Sequence, residues 1–401
     1  MHTKKLVISS ETVLYFLFDV SLLLYFVVYL TFSDSAEFSN VRNVASIAML
    51  FSGSLMLLRR GVVLERFVVA YAIFAMWGFL SIIWAIDGRQ IIGLMNGFIR
   101  ILLLFLFIKA RIKVEKDIEK ILIVAVIAII YREIYIGQLM LEIYNYLQLL
   151  THRFGDPVGY NSNENAMIAV IGFYVLFYFF SKKKHKLIPL VGMIFLGLIV
   201  LVCGSRKGIL SLVLIGILFA LLKSSGASKL SKFLIGILSV FVGIEMCYNI
   251  PVLYDAVGYR LEALFSLLEG GATDGSMIKR IELMQQAFNV WLDNPILGVG
   301  LNNFSLVQTV GGRGYYAHNN FLELLADVGI IGFLLYYVNI FSTVFTHVAK
   351  ENTIAVLLKS ICIILLIMDI GMVTYNSWLY LIFYYLLFIC GTGRNKDVEI
   401  A

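Results

Sequence analysis

The segment YYAHNNFLELLADVGIIGFLLYY, from Tyr315 to Tyr337, sets an imidazole and two amides at the first turn of an apolar run. His318 is followed at once by Asn319 and Asn320. An imidazole titrates near neutral pH and can take a proton from a hydroxyl within hydrogen-bond reach. A histidine at the end of an apolar helix can equally be a hydrogen-bonded structural group. The residues alone leave both roles open. The remaining histidines are at positions 2, 152, 185 and 347.

Arginines supply the second kind of chemistry. Arg206 falls in CGSRKG, a short break between two apolar runs. A cation held near headgroup depth is costly and by default marks a site, unless its stem only snorkels to the interface. Arg280 falls in the first turn of the helix expected over DGSMIKRIELMQQAFNVWLDNP, which Asp274 or Ser276 could cap. A helix N-terminus favours an anion, and a guanidinium binds phosphate oxygens in pairs. The plainer alternative for Arg280 is an ion pair with Asp274 or Glu282. Arg153, Arg260 and Arg313 lie in the longer polar stretches, and Arg100 lies inside the apolar run NGFIRILLLF. Arg100 needs an interior partner or water; Asp19 and Asp369 are the carboxylates to weigh. Tyr160, Asn161, Asn163 and Asn165 offer a ring and amides suited to a sugar, or caps for the next helix. No DxD, HExxH or P-loop occurs, and the outer segments hold no acidic cluster with metal spacing. The chemistry expected is metal-free, with arginines neutralising the negative charge that builds up. A phosphate-bearing membrane lipid is the substrate these groups suit.

The elements that must position these residues follow from composition. The chain has 401 residues, 60% apolar and 14% charged, with a mean hydropathy of +0.90. Soluble chains are about half apolar and about 25% charged. Apolar runs of bilayer length recur throughout, at 12–32, 41–58, 67–86, 91–109, 118–136, 164–181, 187–204, 208–222, 233–249, 319–342, 353–371 and 375–390. Helices satisfy their own backbone in lipid, and these runs are too long and too evenly apolar for barrel strands. The fold class is all-α: a polytopic membrane protein of about twelve spans, one domain over 1–401. The cysteines Cys203, Cys247, Cys362 and Cys390 sit in the apolar spans without a CxxC, so neither metal site nor disulfide framework is expected. MHTKK precedes the first run without a small-residue cleavage site, which reads as an uncleaved first helix.

Lysine and arginine set the orientation. RRGVVLER, KARIKVEKDIEK, KKKHK, KSSGASKLSK, HVAKEN and GTGRNKDVEI fall on one side, whereas SDSAEFSN and DGRQ fall on the other. The positive-inside rule makes the first set cytoplasmic and brings both termini there. Two outer loops are longer, at 137–163 and 250–318. In the second, Met277, Ile281, Met284, Phe288 and Trp291 recur at helical spacing until Asn294-Pro295. That amphipathic helix either lies on the bilayer surface or packs on the bundle. No internal repeat is visible, which weighs against a transporter.

Four motifs, in order, resemble the O-antigen ligase and O-antigen polymerase superfamily of bacterial envelope glycosyltransferases. They are RFGDPVGYNSNENA, GSRKGILSLV, DGSMIKRIELMQQAFNVWLDNPILGVGLNNF and AHNNFLELLADVGIIGFLLYY. The last three span 205–337; the first 150 residues match in topology only. Lys207 and the lack of an aromatic after Gly208 depart from the pattern. The resemblance implies inverting transfer from an undecaprenyl-diphosphate-linked oligosaccharide to a glycan acceptor, with no cofactor and no nucleic acid. It implies that Arg206 and Arg280 hold the diphosphate and that His318 activates the attacking hydroxyl. Arg153, Asn163, Asn319 and Arg313 would support them. It further implies a bacterial cytoplasmic-membrane setting with an extracytoplasmic active site, and a chain-length regulator and a flippase as possible partners. A repeat-unit polymerase is the favoured expectation; a ligase and a lipid-linked oligosaccharide transporter are the alternatives.

Overall fold

The computed structural model describes residues 10–32, 36–145, 152–182, 186–225, 275–310 and 314–392, with isolated positions between 231 and 258. Every regular element among them is a helix. In chain order these are α1 (Ser10–Thr31), α2 (Ser39–Arg60), α3 (Arg66–Leu80), α4 (Gly88–Arg111), α5 (Glu115–Ile143), α6 (Ser162–Lys182) and α7 (Leu187–Val202). They continue as α8 (Arg206–Lys223), α9 (Gly275–Asp293), the single turn α10 (Phe304–Val307), α11 (Asn320–Val344), α12 (Thr353–Met368) and α13 (Trp378–Thr392). Seven of them, α1 to α6 and α11, are long and apolar enough to cross a bilayer, α3 together with the 3₁₀ turn that follows it; α7, α12 and α13 are shorter and apolar. The chain is an all-α polytopic membrane protein. The run at 233–249 lies, apart from isolated positions, outside the described residues.

One loop boundary differs from expectation. The first long loop was expected from 137, but α5 continues to Ile143. Ile136 and Met140 are fully buried, so the packed face carries the helix on after its overall hydropathy falls.

The chain forms two compact units. One holds 10–63 and 106–210; the other holds 64–105, 211–225 and 275–392. In the first, α1 packs on α2 and α5, α5 on α6, and α6 on α7. The Arg111 guanidinium, fully buried, grips both Asp19 oxygens at 2.8 Å and one Asp117 oxygen at 2.7 Å. A buried charge with partners of this geometry is tolerated; the same charge stripped of them is not. In the second unit α11 packs on α3, α9 and α13. Aromatic rings fill the spaces, for example Phe74 against Tyr336 at 5.0 Å and Phe321 stacked on Tyr337 at 4.5 Å.

Candidate active site

His318 stands just ahead of α11, in the second unit. Asn319 caps the helix, its Oδ1 accepting from Leu322 N at 3.1 Å. His318 is half-buried, has φ +54°, and lies against the Tyr316 ring with centroids 4.2 Å apart. A left-handed backbone is uncommon for any residue but glycine, though histidine adopts it more readily than most, and it survives where the surroundings over-determine it. They do so on both flanks. On one side Ala317 N donates to the buried Glu323 carboxylate at 2.6 Å. On the other, Asn320 N donates to Asp369 O at 2.7 Å. The Asn320 side chain then donates to Tyr337 Oη at 2.8 Å and accepts from Thr374 N and Tyr375 N at 2.8 and 3.0 Å. Asp369 in turn accepts from Tyr337 Oη at 3.0 Å and Thr374 Oγ1 at 2.5 Å. Each buried polar atom named here has a partner, which is the condition under which such a network rigidifies rather than weakens a core.

Arg280 is carried by α9, which packs along the start of α11. The described part of the helix already begins at Gly275, so Arg280 lies beyond the first turn and not in it. Asp274 lies outside the described residues, and no described carboxylate pairs with Arg280. The face that α9 buries also differs from the expected stripe. Leu283 and Ala287 are fully buried in a cluster with Phe304, Ala317 and Ala326, whereas Ile281 and Phe288 are exposed. The helix has apolar residues over more than half its circumference, and the side it buries is the one where Ala287 permits close approach.

Two contacts bring the Arg280 turn to the His318 segment. Lys279 Nζ lies 3.4 Å from the centroid of the Tyr315 ring. Its hydrogen bond and charge pull the Tyr315 phenol below its usual pKa. Asn319 Nδ2 meets Met284 Sδ at 3.9 Å. Met284 is four residues after Arg280 and so shares its side of the helix. Arg313 lies outside the described residues.

The segment between α9 and α10 completes this region. α11 is broken at Gly329, with φ +64° and ψ −172°. Val299 N and Gly300 N donate to Ala326 O and Asp327 O at 2.9 and 2.8 Å, and Ile330 N donates to Pro295 O at 2.9 Å. Backbone here lies directly on backbone. A Cβ on Gly298 would run into the Asp327 carbonyl, and one on Gly329 into Ile296 O. The Asp327 carboxylate, wholly buried, takes the N–H groups of Asn302, Asn303 and Phe304 at 2.7, 3.0 and 2.8 Å. Trp77 Nε1 donates to Val328 O at 3.1 Å.

Arg153, Asn163 and Arg206 are in the first unit. Asn163 Oδ1 accepts from Arg153 Nη2 at 3.1 Å and from Ser205 Oγ at 3.0 Å. Arg153 also donates to Cys203 O at 3.2 Å and pairs with Asp156 at 3.2 Å. The three amides of NSNEN divide the work. Asn161 Oδ1 caps α6 through Asn163 N at 2.9 Å, Asn163 ties the loop to the α7–α8 hairpin, and Asn165 Oδ1 accepts from Arg132 Nη2 at 2.6 Å. Arg206, half-buried, opens α8 next to Ser205.

Residues 191–337, which carry the hairpin, α9, the glycine segment, His318 and the first part of α11, match a family model described as O-antigen ligase. Residues 191–337 belong to the O-antigen ligase superfamily. A Haemophilus influenzae protein described as uncharacterized is 26% identical over 220 residues, 49% of this chain and 53% of its own length. The chain thus spans about half the length of that curated relative.

Within the O-antigen ligase region, sequence reasoning passed over Glu323 and Asp327, the carboxylates that fix the His318 and glycine segments. Their signal was present: two acids four apart in an apolar helix are costly unless employed. Ahead of that region it also passed over Arg132 and Glu133, paired at 2.8 Å inside the first unit, with Arg132 Nε donating to Leu30 O at 2.9 Å. The carboxylates weighed for Arg100 are engaged elsewhere, Asp19 by Arg111 and Asp369 by Thr374 and Tyr337.

Proposed function

We propose that this protein is a metal-independent inverting glycosyltransferase. In this reading it joins undecaprenyl-diphosphate-linked oligosaccharide repeat units into a surface polysaccharide, O-antigen or capsule, at the outer face of the bacterial cytoplasmic membrane. The region match supports O-antigen ligase or polymerase type function at the coarser level. The observation that carries the finer reading is the meeting of the Arg280 turn and the His318 segment through Met284–Asn319 and Lys279–Tyr315. It supports the reading because a helix turn that carries a guanidinium meets a segment that carries an imidazole.

The chemistry follows from those two groups. His318 takes the proton of the acceptor hydroxyl, and the oxygen attacks the anomeric carbon from the face opposite the diphosphate. The bond from that carbon to the diphosphate oxygen breaks, and undecaprenyl diphosphate leaves with the electron pair. Arg280 stabilises the charge that develops on the leaving group. His318 then returns its proton to solvent. Tethering both substrates in one membrane supplies much of the rate by proximity. Arg206 is assigned as a second diphosphate ligand, and Arg153, Asn163, Asn319 and Arg313 as supporting residues, on the resemblance of their motifs. A chain-length regulator and a flippase are proposed partners.

The description of the matching family favours a second reading, transfer of the finished glycan to lipid A core or another acceptor. Purified protein in lipid, given a matched undecaprenyl-diphosphate oligosaccharide and no other acceptor, separates the two. A ladder of repeat multiples that disappears in Arg280→Ala and His318→Ala supports the polymerase. Folded protein that yields no ladder until a lipid A core acceptor is added is a ligase. Lipid-linked substrate flipped across the vesicle without any product would move the protein to the transporter class.

A further inference from the structure

α9 carries three neighbouring stripes of different chemistry. Leu283, Ala287 and Val290 face the protein. One position back along the chain, Glu282, Asn289 and Asp293 are exposed and polar. One position back again, Ile281, Phe288 and Leu292 are exposed and apolar, at 50%, 37% and 56%, with Gln285 between them donating to Asn289 of the polar stripe at 3.4 Å. Successive residues turn by about 100° on a helix, so the stripes divide its circumference into three sectors. A helix with only protein and water around it needs two. The apolar sector runs on into Ile296, which is 59% exposed.

The position of α9 says what the third surrounding is. Its contacts with α11 and the approach to that span fall at Ala317, Leu322 and Ala326, and its C-terminal turn reaches Ile330 through Pro295 O. Ala317, Leu322 and Ala326 all precede the break at Gly329 and lie within about 10 Å of the start of a span that crosses a hydrocarbon core of about 30 Å. α9 therefore sits at the depth where hydrocarbon gives way to water, beside a helix already in the bilayer. Exposed side chains at that depth that avoid water meet acyl chains.

We infer that α9 is an interfacial helix whose Ile281–Phe288–Leu292 stripe is seated in the acyl chains of the leaflet that holds the start of α11. The stripe does not depend on whether the protein transfers glycans. It does place Arg280, on the same helix, at the level of lipid phosphates.

The test uses the full-length protein in phosphatidylethanolamine and phosphatidylglycerol vesicles containing a phospholipid with a photoactivated carbene precursor in its acyl chain. Ile194 and Leu198 of the apolar helix α7, both more than half exposed, are the positive control. Adducts on Ile281, Phe288 and Leu292 in yields similar to α7, and none on Glu282, Asn289 or Asp293, are expected. A labelled α7 with an unlabelled α9 overturns the inference. Nitroxides placed singly at 281, 288 and 292 give an independent reading. Collisions with oxygen and shielding from a water-soluble nickel chelate are expected. Access to the chelate means the stripe faces water, and shielding from both means that protein covers it; either result also overturns the inference.

Discussion

At the scale of single residues, the His318 backbone and its imidazole make separable contributions. Asparagine tolerates a left-handed φ better than most residues, so His318→Asn keeps the turn while removing the base. We expect transfer to fall by about 10²–10⁴-fold, the usual worth of a positioned base, with an unchanged thermal midpoint. Undiminished transfer in that variant would remove His318 from the chemistry. Arg280→Lys keeps the charge and loses the planar fork. A drop of about 10²-fold or more in transfer is expected if the side chain grips the leaving diphosphate, measured as product formed at saturating acceptor. The types of these two residues were readable from sequence because an imidazole and a guanidinium stand out against apolar neighbours. The groups that hold them were harder to see. Glu323 and Asp369 act on backbone groups whose positions only the folded chain defines.

At the scale of elements, the broken helix and the glycine segment are one construction. Gly329→Ala forces a side chain into a backbone region that is essentially glycine-only, costing about 1–3 kcal/mol before the clash with Ile296 O is counted. A lowered unfolding midpoint in lipid is the expected result; an unchanged one would mean that the break can be rebuilt as continuous helix. In the first unit, Arg132→Ala leaves Glu133 buried without its partner and frees Leu30 O and Asn165 Oδ1. Breaking a buried pair typically costs about 3–5 kcal/mol, so this variant is expected to melt far lower or fail to accumulate, whereas Lys113→Ala, exposed in the turn just before α5, is not. Helix periodicity located α9 correctly but not its buried face. The apolar arc was too wide for spacing to choose a side, and neighbours made the choice.

At the scale of the whole molecule, hydropathy located most of the helices because a bilayer demands long apolar runs. It misplaced the end of α5, where burial against neighbours replaces lipid as the reason to stay helical. Orientation rests on Lys and Arg placement. Cysteine at Glu37 is expected to react with an impermeant maleimide in intact cells, and cysteine at Glu115 only after permeabilisation; the reverse pattern would invert the topology. The interruption at Gly329 bears on how the chain is made. A span normally leaves the translocation machinery with its own carbonyls and amides matched. Here Ala326 O and Asp327 O are matched by Val299 and Gly300, and Ile330 N by Pro295, all synthesised about thirty residues earlier. Until the earlier segment docks, those groups have no partner outside water. Insertion of this span is thus a concerted event: the ribosome has already delivered the piece that finishes the helix, and the bilayer receives the two together.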